Sequence, residues 1–132
     1  LTTGHGLKEL TSEFEKDNDD YNSIMSKIIA DRLVEAFSEK MHEMIRKDLW
    51  AYSKNESLSI NDMIKEKYHG IRPAPGYPAC PDHQHKDYIW QMLDVEKNTG
   101  ITLTETRSMF PAASLSGWYF SNPKSKYFMI SN

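Results

Sequence analysis

The stretch YNSIMSKIIADRLVEAFSEKMHEMIRKDLWAY, residues 21–52, contains neither proline nor glycine. Apolar side chains recur along it at Tyr21, Ile24, Met25, Ile28, Leu33, Phe37, Met41, Ile45 and Leu49, a spacing that predicts the longest helix of the chain. Leu33, Phe37 and Met41 stand one turn apart and are expected to face a core. Asp31, Glu35, Glu39, His42 and Arg46 share the opposite side and are expected to form a charged face. Asn18-Asp19-Asp20 precedes the run, and short side-chain oxygens of this kind satisfy the free amides at a helix start.

Working outward, Leu7, Leu10 and Phe14 predict a short helix over Leu7 to Lys16. Ser59 stands as a cap before Ile60, Met63 and Ile64, which predicts a second short helix running to Tyr68. A third is expected from Asp87 to Asn98, with Ile89, Met92, Leu93 and Trp90 inward and Gly100 at its close. Strands are expected at Ile101 to Thr104, Ser114 to Phe120 and Lys126 to Ile130, with a turn at Ser121-Asn122-Pro123-Lys124. Helices followed by strands predict an α+β fold, a long helix and shorter helices packed on a small, mainly antiparallel twisted sheet.

The 132 residues match one domain, and 39% hydrophobic content with three Trp, seven Tyr and five Phe supplies a core. A net charge of -3 gives no general attraction to nucleic acid or an anionic membrane surface. No segment approaches the roughly 20 apolar residues needed to span a bilayer. One cysteine, Cys80, precludes an internal disulfide, and the chain is expected to be soluble and cytoplasmic.

Four of the six prolines lie in residues 70–81, which excludes an ordinary helix or central strand there. Pro73, Pro75 and Pro78 stiffen the backbone, Arg72 offers a planar fork for a carboxylate, Gly76 allows close approach, and Tyr77 adds a flat face with a polar tip. Composition alone leaves two readings open, a connector and a ligand clamp. Asp31 and Glu35 are likewise either a solvated helix face or two carboxylates converging on a partner. Cys80, His83 and His85 lack the further ligands that a closed zinc site needs. No Gly-rich strand-to-helix turn is present, which argues against a Rossmann methyltransferase. Neither Ser114 nor Ser116 has the preceding glycine of a nucleophile elbow.

The string GIRPAPGYPACPDH, residues 70–83, resembles the signature of the activation domain of cobalamin-dependent methionine synthase. Further similar blocks are Asp19 to Asn22, Ala30 to Leu33, Glu35 to Phe37, Pro111 to Ser114, Ser116 to Ser121 and Ser125 to Phe128, so the resemblance spans nearly the whole chain. It implies an S-adenosylmethionine site in which Arg72 meets the ligand's carboxylate, with Ala74, Gly76, Tyr77, Tyr127, Phe128 and Glu35 also contributing. It implies that Asp31, Glu35 and His83 face a cobalamin-binding domain of the same enzyme, that cobalamin is held there and not by this chain, and that a flavodoxin or diflavin reductase supplies electrons. The expected role is to support reductive remethylation of oxidised cobalamin, with no general acid or base in the chain. The alternative is a freestanding S-adenosylmethionine sensor or interaction module. In the family an earlier segment supplies an acid to the ligand's amino group, so residues 1–132 are expected to be the C-terminal portion of an activation domain and to bind weakly in isolation.

Overall fold

The computed structural model describes residues 1–128. The element order is α1 (Leu7–Lys16), α2 (Asp20–Met44), a π-helical turn (Ile45–Leu49), α3 (Ile60–Ile64), α4 (His85–Leu93), α5 (Val95–Thr99), β1 (Thr102–Leu103) and β2 (Met109–Phe110). The fold is α+β, as the order of helices and strands predicts. The chain divides into two compact units, Leu1–Ser38 with Gln84–Ser116, and Glu39–His83 with Gly117–Asn132. α2 supplies residues to both. Among the described residues no helix is long and apolar enough to cross a membrane.

In the first unit, Asp19 starts α2 by accepting the Asn22 amide at 3.0 Å. α2 then buries Ser23, Ala30 and Val34, a stripe of small side chains at helical spacing that lets neighbouring backbone approach. The Thr3 hydroxyl accordingly reaches the Ala30 carbonyl at 2.7 Å. The expected core stripe is not the buried one: Leu33 is 55% exposed and Phe37 39%. Hydrophobic spacing located a face correctly as apolar, but the covered face is the one whose residues are small.

The helix expected over Asp87 to Asn98 is two helices, because Asp94 adopts a left-handed conformation with φ 46°. That residue redirects the chain so that Ile89 and Val95 are both buried, and it leaves Met92 and Leu93 exposed. The Asn98 amide donates to the Leu93 carbonyl at 2.7 Å, satisfying an acceptor that the break strands. The Trp90 indole donates to the Ile101 carbonyl at 3.0 Å. β1 and β2 pair antiparallel, with Thr102 opposite Phe110 and Leu103 opposite Met109. Their connecting turn is tied to α4 by Arg107, which donates to both oxygens of Asp87 at 2.9 and 3.0 Å, and by Lys86, which donates to the Arg107 carbonyl at 2.9 Å.

In the second unit the long helix stops being α-helical at Met44 rather than near Tyr52, and the Trp50 amide donates to the Ile45 carbonyl in the wider π turn. The turn falls at Arg46, whose side chain is buried against Glu56. α3 begins at Ser59 with a capping box, Ser59 and Asp62 each accepting the other's amide, and ends at Ile64 instead of Tyr68. Its Ile60 and Ile64 are exposed, so no packing extends it. The segment expected as a strand over Ser114 to Phe120 is extended backbone held by isolated bridges, Thr2 to Ser114 in the first unit and Ile71 to Phe120 in the second. Of the strand expected over Lys126 to Ile130, residues 126–128 have no ladder and the rest lies outside the described residues.

Candidate functional site

The proline segment is an ordered loop of the second unit. Ile71 and Phe120 exchange both backbone hydrogen bonds at 3.0 Å, and the Trp118 amide donates to the Pro73 carbonyl at 2.9 Å. Gly117 permits this approach, since a Cβ there would stand 2.9 Å from the Pro73 oxygen. Past Pro75 the loop folds on itself: the Tyr77 amide donates to Ala74 at 3.2 Å, the Cys80 amide to Tyr77 at 2.8 Å, and the Gly76 amide to Cys80 at 2.8 Å. Gly76 sits at φ 98°, and the His83 ring occupies the space a Cβ would need. Pro73 and Pro75 are buried while Gly76 and Tyr77 are exposed. Inward prolines anchor the loop and leave its tip facing solvent.

Arg72 is anchored twice. Its backbone amide donates to the Tyr127 hydroxyl at 2.8 Å, and its Nη2 donates to the Glu39 carboxylate. Nη1 is buried and has no hydrogen-bond partner among the described residues. Burial works against the guanidinium's charge, but the Glu39 pair more than offsets it and holds the group above its ordinary pKa. Burial first, and then the neighbouring Tyr127, push the Tyr68 phenol up.

His42 is fully buried, packed edge-on to Tyr68 at 4.8 Å and tilted against Tyr119 at 5.3 Å. Burial first, then the charges of Arg46 and Arg72, lower its pKa to about 3, so it is neutral. Its Nε2 lies 3.4 Å from the Tyr52 hydroxyl. His42 and Arg46, expected on a charged outer face, are therefore buried inside this unit, and Glu39, half-exposed, stands at its edge against Arg72. The periodicity was legible; the direction was not, because each polar group's partner comes from distant sequence.

The remaining predicted residues are placed as follows. Ala74 is half-buried with its carbonyl used in the loop, Tyr77 is exposed and bridged to Cys80, and Phe128 is exposed. Glu35 lies on α2 in the first unit, where its carboxylate accepts from Arg32 at 2.9 Å, and Asp31 is exposed on the same helix. Burial and then the Asp82 charge push the Cys80 thiol up, away from the thiolate a nucleophile requires. Among the described residues no three His, Cys, Asp or Glu side chains gather to hold a metal ion. Glu39 is the partner that sequence reasoning did not single out. Its signal was its place on one helix face with His42 and Arg46, a polar stripe with no apolar residue in it.

The family model described as the activation domain of vitamin B12 dependent methionine synthase matches residues 1–132. The chain belongs to that family. A crystal structure described as the MetH reactivation domain bound to AdoHcy is 56% identical, superposes with a TM-score of 0.90 and covers 95% of this chain. The chain spans 38% of the length of that solved structure. The α+β architecture is therefore that of a methionine synthase activation domain, and its RPAPGY loop is the segment that carried the resemblance.

Proposed function

We propose that this chain is the C-terminal portion of an activation domain that binds S-adenosylmethionine and presents it to a cobalamin held by a neighbouring domain. The observation that carries the reading is Arg72: a guanidinium held in place on a stiff loop, with one buried nitrogen that has no acceptor among the described residues. An amino-acid carboxylate is the complement of such a fork. Support comes from the 56% identical solved relative, which holds AdoHcy, the demethylated form of the same ligand.

In this reading Arg72 receives the carboxylate, Ala74 and Gly76 line the site through backbone, and Tyr77, Tyr127 and Phe128 offer aromatic surface to the adenosyl and sulfonium groups. Glu35 is assigned to the ligand on the strength of the sequence resemblance. Asp31, Glu35 and His83 are assigned to the surface that meets the cobalamin-binding domain. The cobalt supplies the carbon–metal chemistry after one-electron reduction by a flavodoxin or diflavin reductase, in the cytoplasm. This chain supplies orientation and charge, with no side chain acting as general acid or base.

The test is Arg72→Ala in the full-length protein. Affinity for S-adenosylmethionine is expected to fall at least ~30-fold, the equivalent of the roughly 2 kcal/mol lost when one partner of a charged hydrogen-bonded pair is truncated. Recovery of oxidised enzyme by reductive methylation should be lost while primary methyl transfer continues. Normal affinity and normal recovery in this variant would falsify the assignment.

A further inference from the structure

We propose that Glu39 is a positioning residue for the ligand's carboxylate site, holding the Arg72 guanidinium in the orientation the ligand requires; this rests on the reading that Arg72 receives that carboxylate. Glu39 and Arg72 are 33 residues apart and both belong to the second unit. The contact uses Nη2 alone. A guanidinium carries five N–H donors in a fixed plane, so a carboxylate on one terminal nitrogen leaves the other to a second acceptor. Here that other nitrogen, Nη1, is buried and unpaired among the described residues. One prong of the fork is occupied by the protein and the other is left over.

The two anchors of Arg72 divide the work. Tyr127 fixes the backbone amide at 2.8 Å, but an arginine side chain beyond that point keeps about 2 kcal/mol of rotamer entropy unless its head is also held. Glu39 holds the head. At 23% exposure for the Arg72 side chain and 41% for Glu39, the pair is partly withdrawn from water yet reachable from it. The backbone that carries Glu39 is held in turn, because His42 on the next turn of α2 and Arg46 in the π-helical turn beyond it are fully buried. The guanidinium is thus oriented before the ligand arrives, and the ordering cost is removed from the binding step.

The experiment uses the full-length protein and two probes, S-adenosylhomocysteine and its α-carboxamide, which differ only in the charge of the group Arg72 meets. Wild type should prefer the acid. In Glu39→Ala that preference should shrink about tenfold, through weaker binding of the acid, with the amide nearly unchanged. Glu39→Gln, which keeps an acceptor oxygen and serves if the alanine variant does not fold, should lose a few-fold in the same direction. An unchanged preference, equal losses for both probes, or tighter binding of the acid, as for an internal competitor, each overturns the proposal. Arg72→Ala is run beside them. If it loses the preference while Glu39 variants keep it, the positioning role fails and the clamp stands; if Arg72→Ala keeps the preference, the clamp reading fails and this inference with it.

Discussion

The guanidinium of Arg46 closes on the carboxylate of Glu56 through three hydrogen bonds of 2.7 to 2.9 Å, with 1% and 10% of the two side chains exposed. The same guanidinium lies 4.7 Å above the Tyr68 ring. Two charges removed from water this completely are held by each other, and deleting one strands the other. Glu56→Gln preserves shape while removing the charge, and is expected to destabilise the protein by about 3–5 kcal/mol. Urea denaturation measures it, and a loss below about 1 kcal/mol would show that the arginine finds another counter-charge.

His42 gives a stability that depends on pH. Its folded pKa is about 3 against an ordinary 6.5, because burial, then Arg46 and Arg72, disfavour the imidazolium. Between those values the unfolded chain binds a proton that the folded chain refuses. Its contribution is therefore complete above about pH 6.5 and is lost as pH falls toward 3. His42→Phe keeps an aromatic ring against Tyr68 and Tyr119 but cannot titrate. Wild type should lose up to about 1.4 kcal/mol per pH unit more than this variant between pH 6 and pH 4. Urea midpoints at three pH values decide it; parallel slopes would mean that His42 is already protonated in the fold.

Much of this architecture was legible from residues 1–132. Capping at Asp19 and Ser59 and the extent of α1 followed from local chemistry, which needs no tertiary partner. The RPAPGY segment likewise announced a stiff loop through its prolines. What escaped was direction. Leu33 and Phe37 carry the stronger apolar signal, yet Ala30 and Val34 are covered. Glu39, His42 and Arg46 read as a solvated face because their partners Arg72, Tyr52 and Glu56 are 10 to 33 residues away. Periodicity reports that a face exists; only its neighbours decide whether it is buried.

The break at Asp94 offers a stabilising change. Asp94 holds φ 46°, a left-handed conformation that crowds any Cβ, and its ion pair with Lys97 is long at 3.6 Å and mostly exposed. Asp94→Gly removes the crowding and gives up little. Stability should rise by about 0.5–1 kcal/mol, read as a thermal midpoint a few degrees higher. A lower midpoint would show that the Asp94 carboxylate contributes more to this corner than its geometry indicates.

Gly76 and His83 are coupled by space. Gly76 needs glycine on two counts, its φ of 98° and the imidazole ring standing where a Cβ would go. Gly76→Ala should therefore cost about 1–3 kcal/mol and displace the loop tip that carries Tyr77. The two causes separate in a double-mutant cycle, since His83→Ala removes the ring but leaves the backbone angle. The alanine at position 76 is expected to cost at least about 1 kcal/mol less in the His83→Ala background than in wild type, with the remainder assigned to backbone strain. Strictly additive losses would mean that the ring swings aside freely. In that case His83 does not brace the loop, and its packing against Gly76 has no energetic weight.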